Sequence, residues 1–217
     1  MRTAAFQIKV LTSLFLLSLF LACNNKDHAK SEQEKTDSIA SLSNKEVLPA
    51  WEDSLASEEE GIAGVFEVPE MLSLCKMDSA NMKDVSARIR QNFALIAKDM
   101  TETDTRVDKY QGIIYYNNDP QNFKFECFTL INKIPVKKPK HSQVVVLESS
   151  KMLVYNYYGP YENTFKAYEE IKKYCQEKKL VQIGQMREFY PLSQVDETDQ
   201  QKWLTRIMVP VIRNMKK

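Results

Sequence analysis

Five glycines and two histidines are few for 217 residues. Phosphate-cradling loops need several glycines for close backbone approach, so that class is disfavoured. Two histidines leave little for a metal site or for imidazole acid–base chemistry. An excess of either charge is also missing: 30 Lys+Arg stand against 29 Asp+Glu. The chain therefore has no general pull toward nucleic acid or an anionic membrane. Cysteine is scarce, and beyond Cys23 an odd number remains, Cys75, Cys127 and Cys175. In an exported protein an odd number usually leaves a free thiol. Each of the three sits within a patterned apolar segment, which favours a buried structural cysteine over a reactive or bridging one.

What is present begins with an address. Arg2 and Lys9 bear charge, an apolar run from Leu14 to Phe20 is cut by Ser18 alone, and Leu21-Ala22-Cys23 follows. This is a charged start, a hydrophobic stretch too short for a stable span, and a small residue before a cut. Residues 1–22 are thus expected to be a signal peptide. The stretch resembles the lipobox of bacterial lipoproteins, which makes Cys23 the lipidation site; Phe20 and Leu21 depart from that pattern. The alternative is an ordinary secretory signal with a chance cysteine. Acyl chains on Cys23 would anchor the protein, each buried methylene adding ~0.8 kcal/mol. Asn24 is not the aspartate that in some bacteria retains lipoproteins at the inner membrane, so an outer-membrane location in a bacterial cell envelope is expected over an inner one.

Residues 23–60 are polar, rich in Ser, Lys and Glu and poor in aromatics. Such a stretch buries too little apolar surface to offset ordering entropy and reads as a flexible tether. The folded body is expected over 61–213.

That body repeats. VFEVPEML (65–72) aligns with VLESSKML (146–153) at an offset of 81, placing Glu67 on Glu148 and Met71 on Met152. Each copy continues into a helical pattern. Met82, Val85, Ile89, Phe93 and Ile96 mark the first, with Asp78 or Ser79 as its N-cap. Phe165, Tyr168, Ile171 and Cys175 mark the second. Two strand-like runs follow each helix: YQGIIYYN and FKFECFTLI, then MREFYP and WLTRIMVPVI. The reading is α+β, with tandem strand–helix–strand–strand repeats over about 62–135 and 142–213, antiparallel sheet, helices on the outer face and a cleft between the halves. The lysine-bearing turn VKKPKH (136–141) reads as a solvated connector, since lysines without interleaved aromatics are weak evidence for nucleic acid.

Strand periodicity separates the faces. Phe123, Phe125, Cys127, Thr129 and Ile131 point one way, and Lys124, Glu126, Phe128 and Leu130 the other. Likewise Thr205, Ile207, Val209 and Val211 oppose Arg206 and Met208. The β-branched face suits packing under a helix. The other carries Glu126 beside Phe128 and Arg206 beside Met208. Either it meets water, or the two copies turn these faces together and enclose a cleft.

Four segments carry a family resemblance. They are the strand leading into Gly159-Pro160-Tyr161-Glu162 and the helix with Tyr168; the strand Arg187-Glu188-Phe189-Tyr190; the acidic loop Asp196-Glu197-Thr198-Asp199 running to Leu204-Thr205 and Val209-Pro210-Val211; and Tyr115-Tyr116 with Asp119-Pro120, leading to Phe125-Glu126. In this order they resemble the GyrI-like small-molecule-binding family, which includes effector-binding domains of multidrug-responsive, AraC-type transcription activators. The resemblance implies a ligand site between the copies, with aromatic walls around a buried carboxylate and often a flat cationic ligand. Glu126 matches the first-copy strand acid of that pattern. Tyr115, Tyr155, Tyr157 and Tyr190 are the expected wall, joined by Phe128, Arg206 and Met208 on the strand faces. Tyr161 and Tyr168 read rather as packing residues. Where many relatives have Thr-Glu-Ile, this chain has Thr205-Arg206-Ile207. Arg206 could pair with Glu126 or receive an anionic ligand head, and both options weaken the cation reading.

The expected function is therefore a lipid-anchored envelope protein that binds a small amphipathic or aromatic molecule in a tyrosine-lined cleft. No cofactor, metal or nucleic acid is expected, and membrane contact is expected through the anchor alone. Two other classes stay open. One is a hydrolase of electrophilic xenobiotics with Glu126 as general base, although the permanently charged Arg206 replaces a titratable partner. The other is a structural envelope protein whose cleft is closed by its own side chains.

Overall fold

The computed structural model describes residues 59–214. The expected signal peptide, Cys23 and nearly all of the expected tether lie outside the described residues. The chain runs through β1 (Gly61–Val68), β2 (Met71–Ala80), α1 (Val85–Glu102), β3 (Val107–Tyr115), β4 (Phe123–Ile131), β5 (Gln143–Leu147), β6 (Ser150–Tyr158), α2 (Phe165–Lys178), β7 (Leu180–Gln182), β8 (Arg187–Leu192) and β9 (Leu204–Arg213). The architecture is α+β, with one antiparallel sheet ordered β1-β6-β9-β8-β3-β4-β2-β5 and β7 pairing with β9.

Strand–helix–strand–strand occurs twice, as β2–α1–β3–β4 and β6–α2–β8–β9. Each copy also opens with a strand that the periodicity merges into the next one. Pro69-Glu70 and Glu148-Ser149 divide these runs, so VFEVPEML and VLESSKML each span a strand end, a link and a strand start. The opening strands are exchanged: β1 pairs with β6, and β5 with β2.

This exchange bends the sheet. β1 and β2 stand six places apart in the strand order, as do β6 and β5. In a flat sheet six places is about 29 Å, whereas a two-residue link spans at most about 11 Å. The sheet must curl so that its ends meet. The helix-free face turns inward and forms one core from both halves, in which Met71, Phe128, Met152, Val154, Phe189 and Met208 are buried. Gly112 permits this closure, since a Cβ there would lie 2.1 Å from the Glu188 carbonyl and 2.4 Å from the Phe128 ring.

The helices lie on the outer, convex face. α1 packs on β2 and β4, where Val85, Ile96 and Met100 meet Phe123, Phe125 and Cys127. α2 lays Ala167, Tyr168, Ile171 and Cys175 against Leu153, Ile207 and Val209. Fully burying one such aliphatic or aromatic side chain stabilises by about 1.5–3 kcal/mol. The expected N-cap for α1 is corrected. Asp78 and Ser79 belong to β2, and the helix starts after Asp84. Asp78 supports α1 from the strand instead, accepting from Arg88 Nη2 at 3.1 Å and Asn92 Nδ2 at 3.2 Å.

The β3–β8 pairing relates the halves. Gly112 opposes Phe189, Ile113 opposes Glu188, and Ile114 opposes Arg187. A two-fold through this ladder exchanges Gly112 with Arg187, Ile113 with Glu188, Ile114 with Phe189 and Tyr115 with Tyr190. Carried outward by register, it exchanges Phe128 with Met208, Glu126 with Arg206 and Cys75 with Val154. Cys75 and Val154 are thus equivalent at an offset of 79, two fewer than the sequence alignment of 81. A shift of two keeps every side chain on its face, which is why the face assignment survives it.

Candidate functional site

β3 and β8 form the seam between the halves, and each helix packs over its own half. The outer face of the seam carries Ile113, Tyr115, Glu188 and Tyr190. Glu188 is buried at 4% exposure. Its Oε2 accepts from Tyr115 Oη at 2.8 Å and from Tyr190 Oη at 2.7 Å. Its Oε1 accepts from Tyr168 Oη, which reaches down from α2. Each donor comes from a different element, so the cluster exists only when β3, β8 and α2 are assembled.

Burial pushes the Glu188 carboxyl up, and although the three phenols favour its ionised form, burial wins. Burial, and then the Glu188 charge, push the Tyr115, Tyr168 and Tyr190 phenols well up, so all three remain donors. Among the described residues, no Lys, Arg or His forms an ion pair with Glu188. The site is a desolvated acid satisfied by neutral hydroxyls.

Aromatic rings stand beside it. Tyr161 stacks on Trp203 at 5.0 Å and meets the Tyr190 ring edge-on at 5.5 Å. The turn at Gly159-Pro160 delivers Tyr161 there. Gly159 has φ +130°, and a Cβ would come within 2.9 Å of Tyr157 Oη. Pro160 then leads into a short 3-10 turn, Tyr161–Asn163. The tyrosine-rich strand ends abruptly so that the chain can turn an aromatic ring toward the seam and start α2. Tyr115 and Tyr190 are half-buried, whereas Tyr168 is held beneath α2.

The structure divides the site residues expected from sequence between two faces. Tyr115 and Tyr190 meet at Glu188 on the outer face. Tyr155 and Tyr157 share that face but lie in the α2 core, where they donate to Glu170 Oε2 at 2.8 Å and to the Pro160 carbonyl at 3.0 Å. Glu126, Phe128, Arg206 and Met208 lie on the inner face. Phe128 and Met208 are fully buried core, with Phe128 edge-on to Phe189 at 4.9 Å. Glu126 is half-buried and accepts from Tyr116 Oη at 2.6 Å. Arg206 is buried, and its Nε donates to Asn156 Oδ1 at 3.0 Å.

A single hollow holding Glu126 and the four tyrosines is therefore corrected. Glu126 opposes Ile114, not Tyr115, and the two-residue period sends neighbours to opposite faces. Glu126 and Arg206 are two-fold equivalents set three strands apart, and they bond different partners. Glu188 and Tyr168 are the functional candidates that sequence reasoning passed over. Glu188 had a usable signal: it shares its face with Tyr190, two residues on, in a strand whose other face holds Phe189.

The remaining cysteines are free and buried. Burial raises the Cys75 thiol well above its ordinary value and Cys127 to about 12, which leaves both unreactive. Among the described residues, no group of three or more His, Cys, Asp or Glu could hold a metal ion. No helix among them is long and apolar enough to cross a membrane.

The family model described as GyrI-like small molecule binding domain matches residues 73–212. The EcmrR C-terminal domain is similar in structure, with a TM-score of 0.63 at 17% identity, covering 69% of this chain and 96% of that one. An uncharacterized conserved protein from Listeria innocua gives 0.59 at 11% identity, covering 75% and 98%. A hydrolase from Listeria innocua gives 0.55 at 14% identity, also covering 75% and 98%. At these identities the likeness is one of fold. No curated protein matches the chain.

Proposed function

This chain belongs to the GyrI-like family of small-molecule-binding domains, and from that premise we propose that it holds an aromatic or amphipathic cation in the outer seam, over Glu188. One observation carries the reading: a buried carboxylate held by three phenols, with an aromatic stack beside it. A neutral or phenol-bonded carboxyl is an economical resting state for a site awaiting positive charge, because an unpaired buried anion would be costly. When a cation enters, Glu188 ionises against it. Half-buried Tyr115 and Tyr190 border the seam from either side, while Tyr168 keeps Oε1 in place. Each aromatic face adds cation–π attraction of ~0.5–2 kcal/mol. Titration with the aromatic cation rhodamine 6G tests this, with saturable binding to the wild type expected. Equal affinity for wild type and Glu188→Gln would remove the acid from the site.

The same proposal places the protein on a bacterial envelope membrane through acylated Cys23. Its support is the charged start, the short apolar run and Ala22 ahead of the cysteine. Binding a small molecule at an anchored domain fits a sequestering or sensing role for an amphipathic compound in that compartment.

A further inference from the structure

The inner face has two ends, and the two-fold makes them equivalent in backbone but not in chemistry. At one end Arg206 pairs in register with Asn156, and the two are 7% and 0% exposed. At the other, the equivalent positions hold Glu126 and Met77, with Glu126 half-buried and Met77 58% exposed. One mouth of the curled sheet is closed by its own hydrogen-bonded side chains, and the other leaves Met77 and part of Glu126 open to solvent.

The open mouth carries separated opposite charges. Glu126 opposes Ile114, which in turn opposes Arg187, so acid and guanidinium stand on one transverse row of the inner face. Two strand spacings separate them, about 10 Å. Both are half-buried. Among the described residues, no ion pair within 4.0 Å joins them. Glu126 bonds the neutral Tyr116 phenol, and Arg187 Nη1 and Nη2 reach the Glu148 carbonyl at 3.4 Å. The fields of both charges act on the Tyr116 phenol and on the buried Cys75 thiol. The Glu148 carboxylate acts on Arg187 as well, and exposed Lys124 shares the Glu126 face. Ile114 lies between the charges, and Phe66 and Tyr116 are half-buried against the same core.

Holding two opposite charges partly out of water, unpaired, costs free energy that a direct salt bridge would offset. Here each is held by another group instead, Glu126 by the Tyr116 hydroxyl and Arg187 by the Glu148 carbonyl. We infer that this mouth is a second ligand site, for a small zwitterion with an apolar body. An ammonium group meets Glu126 and the Tyr116 ring, a carboxylate meets Arg187 in the planar fork geometry that guanidinium favours, and the apolar part lies on exposed Met77. The sheet separates this mouth from Glu188, so the inference stands independently of the outer-seam reading.

The dipeptide Leu-Phe serves as probe, with N-acetyl-Leu-Phe and Leu-Phe-amide as forms lacking one charge. Isothermal titration of the full chain should give one saturable site for Leu-Phe, at least tenfold weaker for either capped form. Glu126→Gln and Arg187→Gln should each weaken it at least tenfold, and Glu188→Gln should leave it unchanged. Met77→Arg, cross-strand from Glu126 on the exposed rim, should block it by bulk and by pairing with that carboxylate. Undetectable binding of Leu-Phe, equal binding of the capped forms, or loss in Glu188→Gln with retention in Glu126→Gln would each overturn the assignment.

Discussion

Tyr115 and Tyr190 are exchanged by the two-fold that relates the halves, and their hydroxyls converge on the same carboxylate oxygen, Glu188 Oε2. The residue equivalent to Glu188 in the other half is Ile113. A duplicated scaffold thus supplies symmetric donors while only one copy supplies the acid, so the seam holds a single site.

Glu188→Gln should weaken rhodamine 6G binding at least tenfold, read by fluorescence anisotropy. In the wild type, affinity should rise with pH as the elevated Glu188 carboxyl ionises. Stability runs the other way. The unfolded chain ionises this group first, so stability is lost as pH climbs from the ordinary carboxylate range through the folded value. The glutamine variant should abolish both dependences, and a wild-type affinity that does not change with pH would count against Glu188 as the ligand's partner.

Tyr168→Phe and Tyr190→Phe should differ. Tyr168 is buried in the α2 core and fixes Oε1, so its loss leaves a buried acceptor short and costs roughly 1–3 kcal/mol. Tyr190 is half-buried, and its loss should change ligand affinity more than melting temperature. Equal thermal shifts for the two would contradict the division between a core phenol and a seam phenol.

Asp99 joins the halves. Its side chain is fully buried and accepts from the amides of Lys140, His141 and Ser142 at 2.7–3.1 Å and from Ser142 Oγ at 2.6 Å. Burial opposes ionisation, yet the Ser142 hydroxyl and the three amides outweigh it and hold the carboxyl below its usual range. The stability it contributes is present above the ordinary carboxylate pKa and is lost as pH falls through the folded value. Asp99→Ala should cost about 2–4 kcal/mol by orphaning buried donors. Denaturant melts at neutral and acid pH test this, the variant being expected to lose less on acidification than the wild type.

Gly112→Ala should destabilise by about 3 kcal/mol, because the new methyl meets a backbone carbonyl and the Phe128 ring together. A denaturation midpoint equal to wild type would show that the seam has slack at Gly112.

Cys23→Ser should shift the protein from the membrane to the soluble fraction of bacterial lysates. If fractionation does not change, the anchor is not at Cys23.

The tyrosine cluster illustrates what could be read beforehand. Period-two alternation assigned Phe125 and Cys127 to the helix-covered face and Glu126 and Phe128 to the other, because side-chain direction along a strand is a local property. Nothing local said which faces would share a space. Separating Tyr115 from Glu126 required the register of β3 on β4, and the join of β3 to β8 places Tyr115 next to Glu188, seventy-three positions away.

The amino-acid sequence by itself determined the duplicated α+β plan, the inward stripes of both helices and the side of the sheet on which each strand residue lies. All of these follow from short-range periodicity and the apolar pattern. Only the tertiary structure decided that β1 and β5 change places, that the curled sheet fills its inside with Phe128 and Met208, and that Glu188 rather than Glu126 receives three phenols. Those outcomes depend on strand order and register between distant segments, where closure of a two-residue link outweighs any local preference.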